Sequence, residues 1–131
     1  MVLSGHLNEV NMITLNVNPV AKPRMTRSDK WKKRKATDKY WEYKDKIREY
    51  KFILPIPYKM TFYLQTPKSY SKAKQALLEG QPHLTRPDKD NLEKGFLDAL
   101  FEEDSHIWSG WVVKRYSMNP RIEIEALNEK I

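Results

Sequence analysis

Asp88 and Asp90 stand two apart in the run Arg86-Pro87-Asp88-Lys89-Asp90-Asn91-Leu92-Glu93-Lys94, just ahead of a stretch with helical periodicity. In extended backbone an Asp-x-Asp pair points both side chains to one side. Two converging carboxylates repel each other unless a cation lies between them. Oxygen donors of this kind suit a hard divalent ion that keeps several of its waters, Mg²⁺ with Mn²⁺ as a substitute. Lys94 follows Asp90 by four residues and so shares its helix face, and Asp98 continues that face one turn on. A lysine beside such carboxylates can stabilise negative charge developing at phosphorus. The same spacing admits a plainer reading, in which Asp88-x-Asp90-Asn91 caps a helix and Lys94 joins a solvated row of ion pairs.

Metal-assisted phosphodiester chemistry calls for about three carboxylates, and the next supply is Glu102-Glu103-Asp104. A ten-residue helix is roughly 15 Å long, which puts Asp104 at its far end. Either the chain turns back along the helix or the third carboxylate comes from elsewhere. A charged surface turn is the alternative for this second acidic knot.

The elements that must position these groups follow from periodicity. Ile13, Leu15 and Val17 alternate with polar residues over 11–18, a half-buried strand closed by Pro19 and Pro23. Thr37 is placed to cap a helix carrying Tyr40, Tyr43, Ile47 and Tyr50, which ends before Pro55 and Pro57. Tyr58, Met60, Phe62 and Leu64 alternate over 58–65, a second strand. Residues 71–79 read as a short helix stopped by Gly80. Asp90 or Asn91 would cap a helix over 92–101 with Leu92, Phe96, Ala99 and Leu100 as its buried stripe. Residues 111–117 and 121–126 read as two strands of a hairpin around Met118-Asn119-Pro120. The order β-α-β-α-α-β-β predicts a single α/β (α+β) domain over 1–131, with two to three helices on a small mixed, largely antiparallel sheet.

Composition narrows the partners. The chain has 131 residues, 24 Lys+Arg against 17 Asp+Glu, a net charge of +7 and no cysteine. A disulfide scaffold, thiolate zinc and a cysteine nucleophile are thereby excluded. The charge is concentrated: residues 22–51 hold 13 basic and 5 acidic residues, a local +8, leaving −1 for the remainder. Clustered Lys and Arg neutralise phosphates and release counterions, so a nucleic acid is the expected partner, a solvated basic loop without one being the alternative. Residues 22–36 form a basic loop with Lys22, Arg24, Arg27, Lys32, Lys33, Arg34 and Lys35, and Arg86 stands beside the carboxylates; these become the DNA contacts under the family resemblance given below. The basic segment has no amphipathic apolar stripe for a membrane surface, and no apolar run approaches the roughly 18–20 residues of a membrane span. With no signal-peptide core in 1–10, a cytoplasmic location is expected. Only four glycines are present and none form a phosphate loop; His6, His83 and His106 share no ligand spacing. Trp31 and Trp41 interleave with positive charge, Trp41 being assigned to packing.

At the carboxylate run the sequence resembles the RusA family of Holliday junction resolvases, phage and prophage endodeoxyribonucleases. The resemblance rests on Asp88-Lys89-Asp90-Asn91-Leu92-Glu93-Lys94, then Asp98-Ala99-Leu100, then Glu103-Asp104-Ser105-His106-Ile107, with Lys22-Pro23-Arg24 after the first strand. It covers roughly residues 12–125 in the same motif order. It implies that Asp88, Asp90 and Asp104 bind catalytic Mg²⁺, that Lys94 is the catalytic lysine, and that Asp98 is structural. It further implies a homodimer that cuts four-way junctions and related branched DNA in recombination and repair, with no small-molecule cofactor, in the host cytoplasm if phage-encoded. The connection from Asp98 to Asp104 is shorter than the family usually shows, which makes Glu103 the substitute for Asp104. The alternative class is a basic DNA- or RNA-binding module without catalysis.

Overall fold

The computed structural model describes residues 12–23 and 35–128. Strand β1 (Met12–Leu15) is followed by helix α1 (Lys35–Glu49), strand β2 (Tyr58–Gln65), helices α2 (Lys72–Leu78) and α3 (Lys89–Leu100), and strands β3 (Gly110–Ser117) and β4 (Arg121–Ala126). The four strands form one sheet in the order β1-β4-β2-β3. β4 is antiparallel to both β1 and β2, while β2 and β3 are parallel. The sheet is therefore mixed and largely antiparallel, as expected from the element order.

The period-two pattern separates the two faces. Leu15, Tyr58, Met60, Phe62, Ile122 and Ile124 are fully buried on one face. They meet Tyr40, Tyr43 and Ile47 of α1 and Leu92, Phe96 and Ala99 of α3. Phe96 stands edge-on to Phe62, with ring centroids 6.4 Å apart. On the other face Lys59, Thr61, Tyr63, Arg115, Glu123 and Glu125 line a polar depression. One apolar and one polar face is the usual state of a sheet covered on a single side.

The expected β3–β4 hairpin is not formed. β4 pairs with β1 and β2, so β2 lies between the two strands expected to be neighbours. Residues 118–120 instead arch over the end of β2, a span of two strand spacings or about 10 Å. Glu79, at the end of α2, holds this arch: its carboxylate accepts from Ser117 Oγ at 2.7 Å and from the Met118 N–H at 2.9 Å. That side-chain anchor is non-local, which is why the short link alone suggests a hairpin.

Other boundaries shift modestly. α1 begins at Lys35, so Thr37 lies inside the helix and does not cap it. Tyr50 falls beyond the helix and accepts a hydrogen bond from the Asn16 N–H at 3.0 Å. Trp41 is about half exposed and outside the core, with the Lys44 ammonium 3.9 Å from its ring centroid. α2 is capped by Ser71, whose Oγ accepts from the Lys74 N–H, and Gly80 follows at φ 77°, a left-handed conformation suited to glycine.

Candidate active site

Helix α3 starts earlier than its apolar stripe suggests. Asp88 is the N-cap in extended conformation (φ −70°, ψ 145°) and Asp90 sits in the first turn. The Asp-x-Asp pair is thus not extended; its second member is already helical. Asp88 makes no side-chain cap hydrogen bond, so its carboxylate stays available. Among the described residues no hydrogen bond or ion pair engages the carboxylates of Asp88, Asp90 or Asp104. All three are exposed. The positive end of the helix dipole favours acidic groups here without fixing them.

Along α3, Asp90, Glu93, Lys94 and Leu97 share one face by their spacing of three, four and seven. Residues 101–109 turn back as far as the middle of the helix, bringing Asp104 to Glu93 and Lys94 but into no hollow shared with Asp88 or Asp90. Glu93, Lys94, Leu97 and Asp104 line one open hollow of about 310 Å³, with Trp108 and Gly110 at its edge. Asp88 and Asn91 line a separate hollow with Arg86 and Pro87, and the two hollows share no lining residue.

Spacing alone does not mark Glu93 as a site residue, yet it is the best-held carboxylate of the hollow. It accepts a short hydrogen bond from the hydroxyl of Tyr58, a side chain with no exposed surface. Burial pushes the Tyr58 phenol up, and the Glu93 hydrogen bond and the Glu93 and Asp104 charges add to it. The phenol therefore remains a donor, and both carboxylates act on the same buried hydroxyl. Gly110, opposite Tyr58 in the parallel ladder, leaves room for the ring; a Cβ built there would overlap it. The distance of Glu93 from Asp90 along the helix is visible in the sequence, but its buried partner two elements away is not.

Asp98 has the structural role the resemblance implies. It accepts from Tyr40 Oη at 2.7 Å and Lys44 Nζ at 3.2 Å, and Lys22 Nζ stands 3.9 Å away. Burial raises its carboxyl, but the two hydrogen bonds and the Lys44 and Lys22 charges outweigh that and hold it below its ordinary value. The strap of residues 19–23 crosses α3 at Gly95, where the Lys22 N–H donates to the Asn91 carbonyl at 3.1 Å. The start of the basic segment is thus pinned to the carboxylate helix. Arg24, Arg27, Lys32, Lys33 and Arg34 lie outside the described residues, as does the side chain of Lys35.

Among the described residues no three His, Cys, Asp or Glu side chains stand close enough to enclose a metal ion. Asp88, Asp90 and Asp104 are therefore not gathered into one three-carboxylate site. Their donor chemistry nonetheless fits a hydrated hard cation, which one or two carboxylates, water and substrate phosphate together hold. His83 packs on Tyr116 (centroids 4.4 Å) and His106 on Phe101 (4.7 Å), in keeping with packing roles.

The family model for endodeoxyribonuclease RusA matches residues 16–126. A curated relative, the uncharacterized protein YqaN of Bacillus subtilis (strain 168), is 35% identical over 78 residues, 53% of this chain and 55% of its own length. The chain thus spans about half the length of that relative.

Proposed function

We propose, from the premise that this chain belongs to the RusA family of endodeoxyribonucleases, that it is a Mg²⁺-dependent, structure-selective endonuclease that resolves Holliday junctions and related branched DNA. Its place is in recombination and repair, acting as a homodimer in the cytoplasm, with one site per subunit for paired cuts. No helix among the described residues is long and apolar enough to cross a membrane. The observation that carries the reading is the return of Asp104 to the face of Glu93 and Lys94 on α3, the same helix whose N-cap Asp88 makes no side-chain cap hydrogen bond.

Asp88, Asp90 and Asp104 would hold the cation, Glu103 being the substitute for Asp104. When bound, such an ion lowers the pKa of an attacking water and offsets charge on the phosphate. Lys94 supplies a positive group on the same face, where charge grows on the phosphate oxygens in the transition state. Lys22, Arg24, Arg27, the Lys32-Lys33-Arg34-Lys35 cluster and Arg86 bind the sugar-phosphate backbone, which positions the DNA without reading bases. Hydrolysis breaks one P–O bond and forms another to the attacking oxygen.

Cleavage of a labelled four-way junction and of a linear duplex of the same sequence, with Mg²⁺ or with chelator, tests this function. Symmetrical nicks in the junction alone, and only with Mg²⁺, are expected. Junction binding without scission under any divalent ion would contradict it and favour the non-catalytic binding module. Sedimentation of the free chain at twice its monomer mass is expected for the homodimer.

A further inference from the structure

We propose that Lys114 is a positioning residue for the carboxylate run, its ammonium fixing the peptide that leads into Asp88. The inference rests on the nuclease reading above. Lys114 lies on β3 opposite Phe62, half-buried on a rigid element. Its Nζ donates to the Thr85 carbonyl at 2.6 Å and to the Pro87 carbonyl at 2.7 Å. Both are as short as or shorter than typical charge-assisted bonds, which are about twice as strong as neutral ones.

The two carbonyls belong to the segment that most needs holding. Residues 80–83 are laid along the outer edge of β3: the Gly80 N–H donates to the Tyr116 carbonyl, the Tyr116 N–H to the Gln81 carbonyl, and the His83 N–H to the Lys114 carbonyl at 3.0 Å. Beyond His83 the chain leaves this ladder, and Leu84, Thr85 and Arg86 are exposed. Asp88 follows at once as the N-cap of α3. Because a peptide is planar, a fixed Pro87 oxygen also fixes the Asp88 nitrogen and the direction to its Cα. On the far side the Leu92 N–H donates to the Asp88 carbonyl at 3.2 Å. Asp88 is therefore bracketed by backbone bonds while its carboxylate stays uncapped.

Lysine suits this task because an ammonium carries three donors at one point and reaches two carbonyls from a long stem. An apolar replacement leaves both oxygens unpaired and frees the turn that aims Asp88. A misplacement of about 1 Å at a reacting group costs on the order of 10²-fold in rate.

The chain has no cysteine, so Lys114→Cys gives a single thiol for chemical rescue. Its thiolate displaces bromide from bromoethylamine, forming one C–S bond and restoring an ammonium on a stem of lysine's length. Lys114→Cys is expected to lower kcat on a four-way junction about 10²-fold while leaving KM unchanged. Junction affinity in Ca²⁺ is expected to stay the same. Aminoethylation is expected to return most of kcat, and methyl methanethiosulfonate, which adds an apolar group, none. Unchanged kcat in Lys114→Cys, equal recovery with both reagents, or a loss carried by KM and affinity overturns the inference. A wild-type chain that does not cleave overturns the nuclease reading instead. If Lys114→Cys does not fold, Lys114→Arg and Lys114→Gln decide: arginine retains the higher kcat, and equal rates overturn the positioning role.

Discussion

The hydroxyl of Tyr58, enclosed within the sheet-helix interface, donates a hydrogen bond to the carboxylate of Glu93 on the open face of α3. The core of the domain thereby reaches one side chain of the candidate site. Removing only that hydroxyl, in Tyr58→Phe, is expected to cost about 1 kcal/mol of stability. Gly110→Ala should cost more, about 2–3 kcal/mol, because the ring itself must move to admit a Cβ. Urea denaturation of both variants checks this, and a Gly110→Ala chain as stable as wild type would show that the ring has slack.

Asp98 ties α1, α3 and the strap together, and Lys44, its principal cation, is almost fully buried. Asp98→Asn leaves that ammonium without its counter-charge and is expected to cost about 2 kcal/mol at neutral pH. The folded carboxyl lies below its ordinary value of 3.8, so its contribution is complete above that value. As pH falls from 3.8 through the lower folded value, the unfolded chain takes up the proton first and the contribution disappears. Denaturation midpoints for wild type and Asp98→Asn should therefore converge only below about pH 4. A gap that persists unchanged well into that acid range would contradict the assignment.

Gly95 is where the strap approaches α3. A Cβ there would stand 3.1 Å from both the Lys22 nitrogen and the Val20 oxygen, which are backbone atoms and yield little. Alanine is normally favoured over glycine in a helix by about 1 kcal/mol. Here Gly95→Ala is expected to destabilise the chain and weaken junction binding, because it lifts the segment that feeds the basic run. Stabilisation at unaltered affinity, read from thermal melts and a binding titration, would mean that the strap is not held against the helix.

The basic run should act through phosphates. Replacing Arg24 and Arg27 by alanine is expected to flatten the plot of log affinity against log salt by about 0.9 for each phosphate no longer neutralised. Affinity should fall equally on junctions of different sequence. A sequence-dependent fall would indicate base recognition.

Much of the fold was legible because local signals and packing agree. The alternation of Tyr58, Met60, Phe62 and Leu64 specifies β2, and Ser71 with Gly80 brackets α2. The order of strands was not legible, because β4 is placed between β1 and β2 by interactions such as Ser117 with Glu79, 38 residues apart. At the candidate site, the run from Asp88 to Lys94 could be read from spacing and Asp98 from its resemblance. Glu93 could not be promoted, because its distinction lies in Tyr58, 35 residues away on a buried strand. Lys114 carries no local signal at all; only the path of residues 85–87 around its ammonium reveals it.

The carboxylates at the start of α3 are proposed to carry out strand scission rather than cap a helix. Asp88→Asn removes the charge at the N-cap while keeping the shape of a residue favoured at that position. With a labelled four-way junction and saturating Mg²⁺, the variant is expected to bind as wild type does and to lose cleavage by at least about 10³-fold. Cleavage at the wild-type rate by Asp88→Asn would instead leave Asp88 as a helix cap with no part in scission.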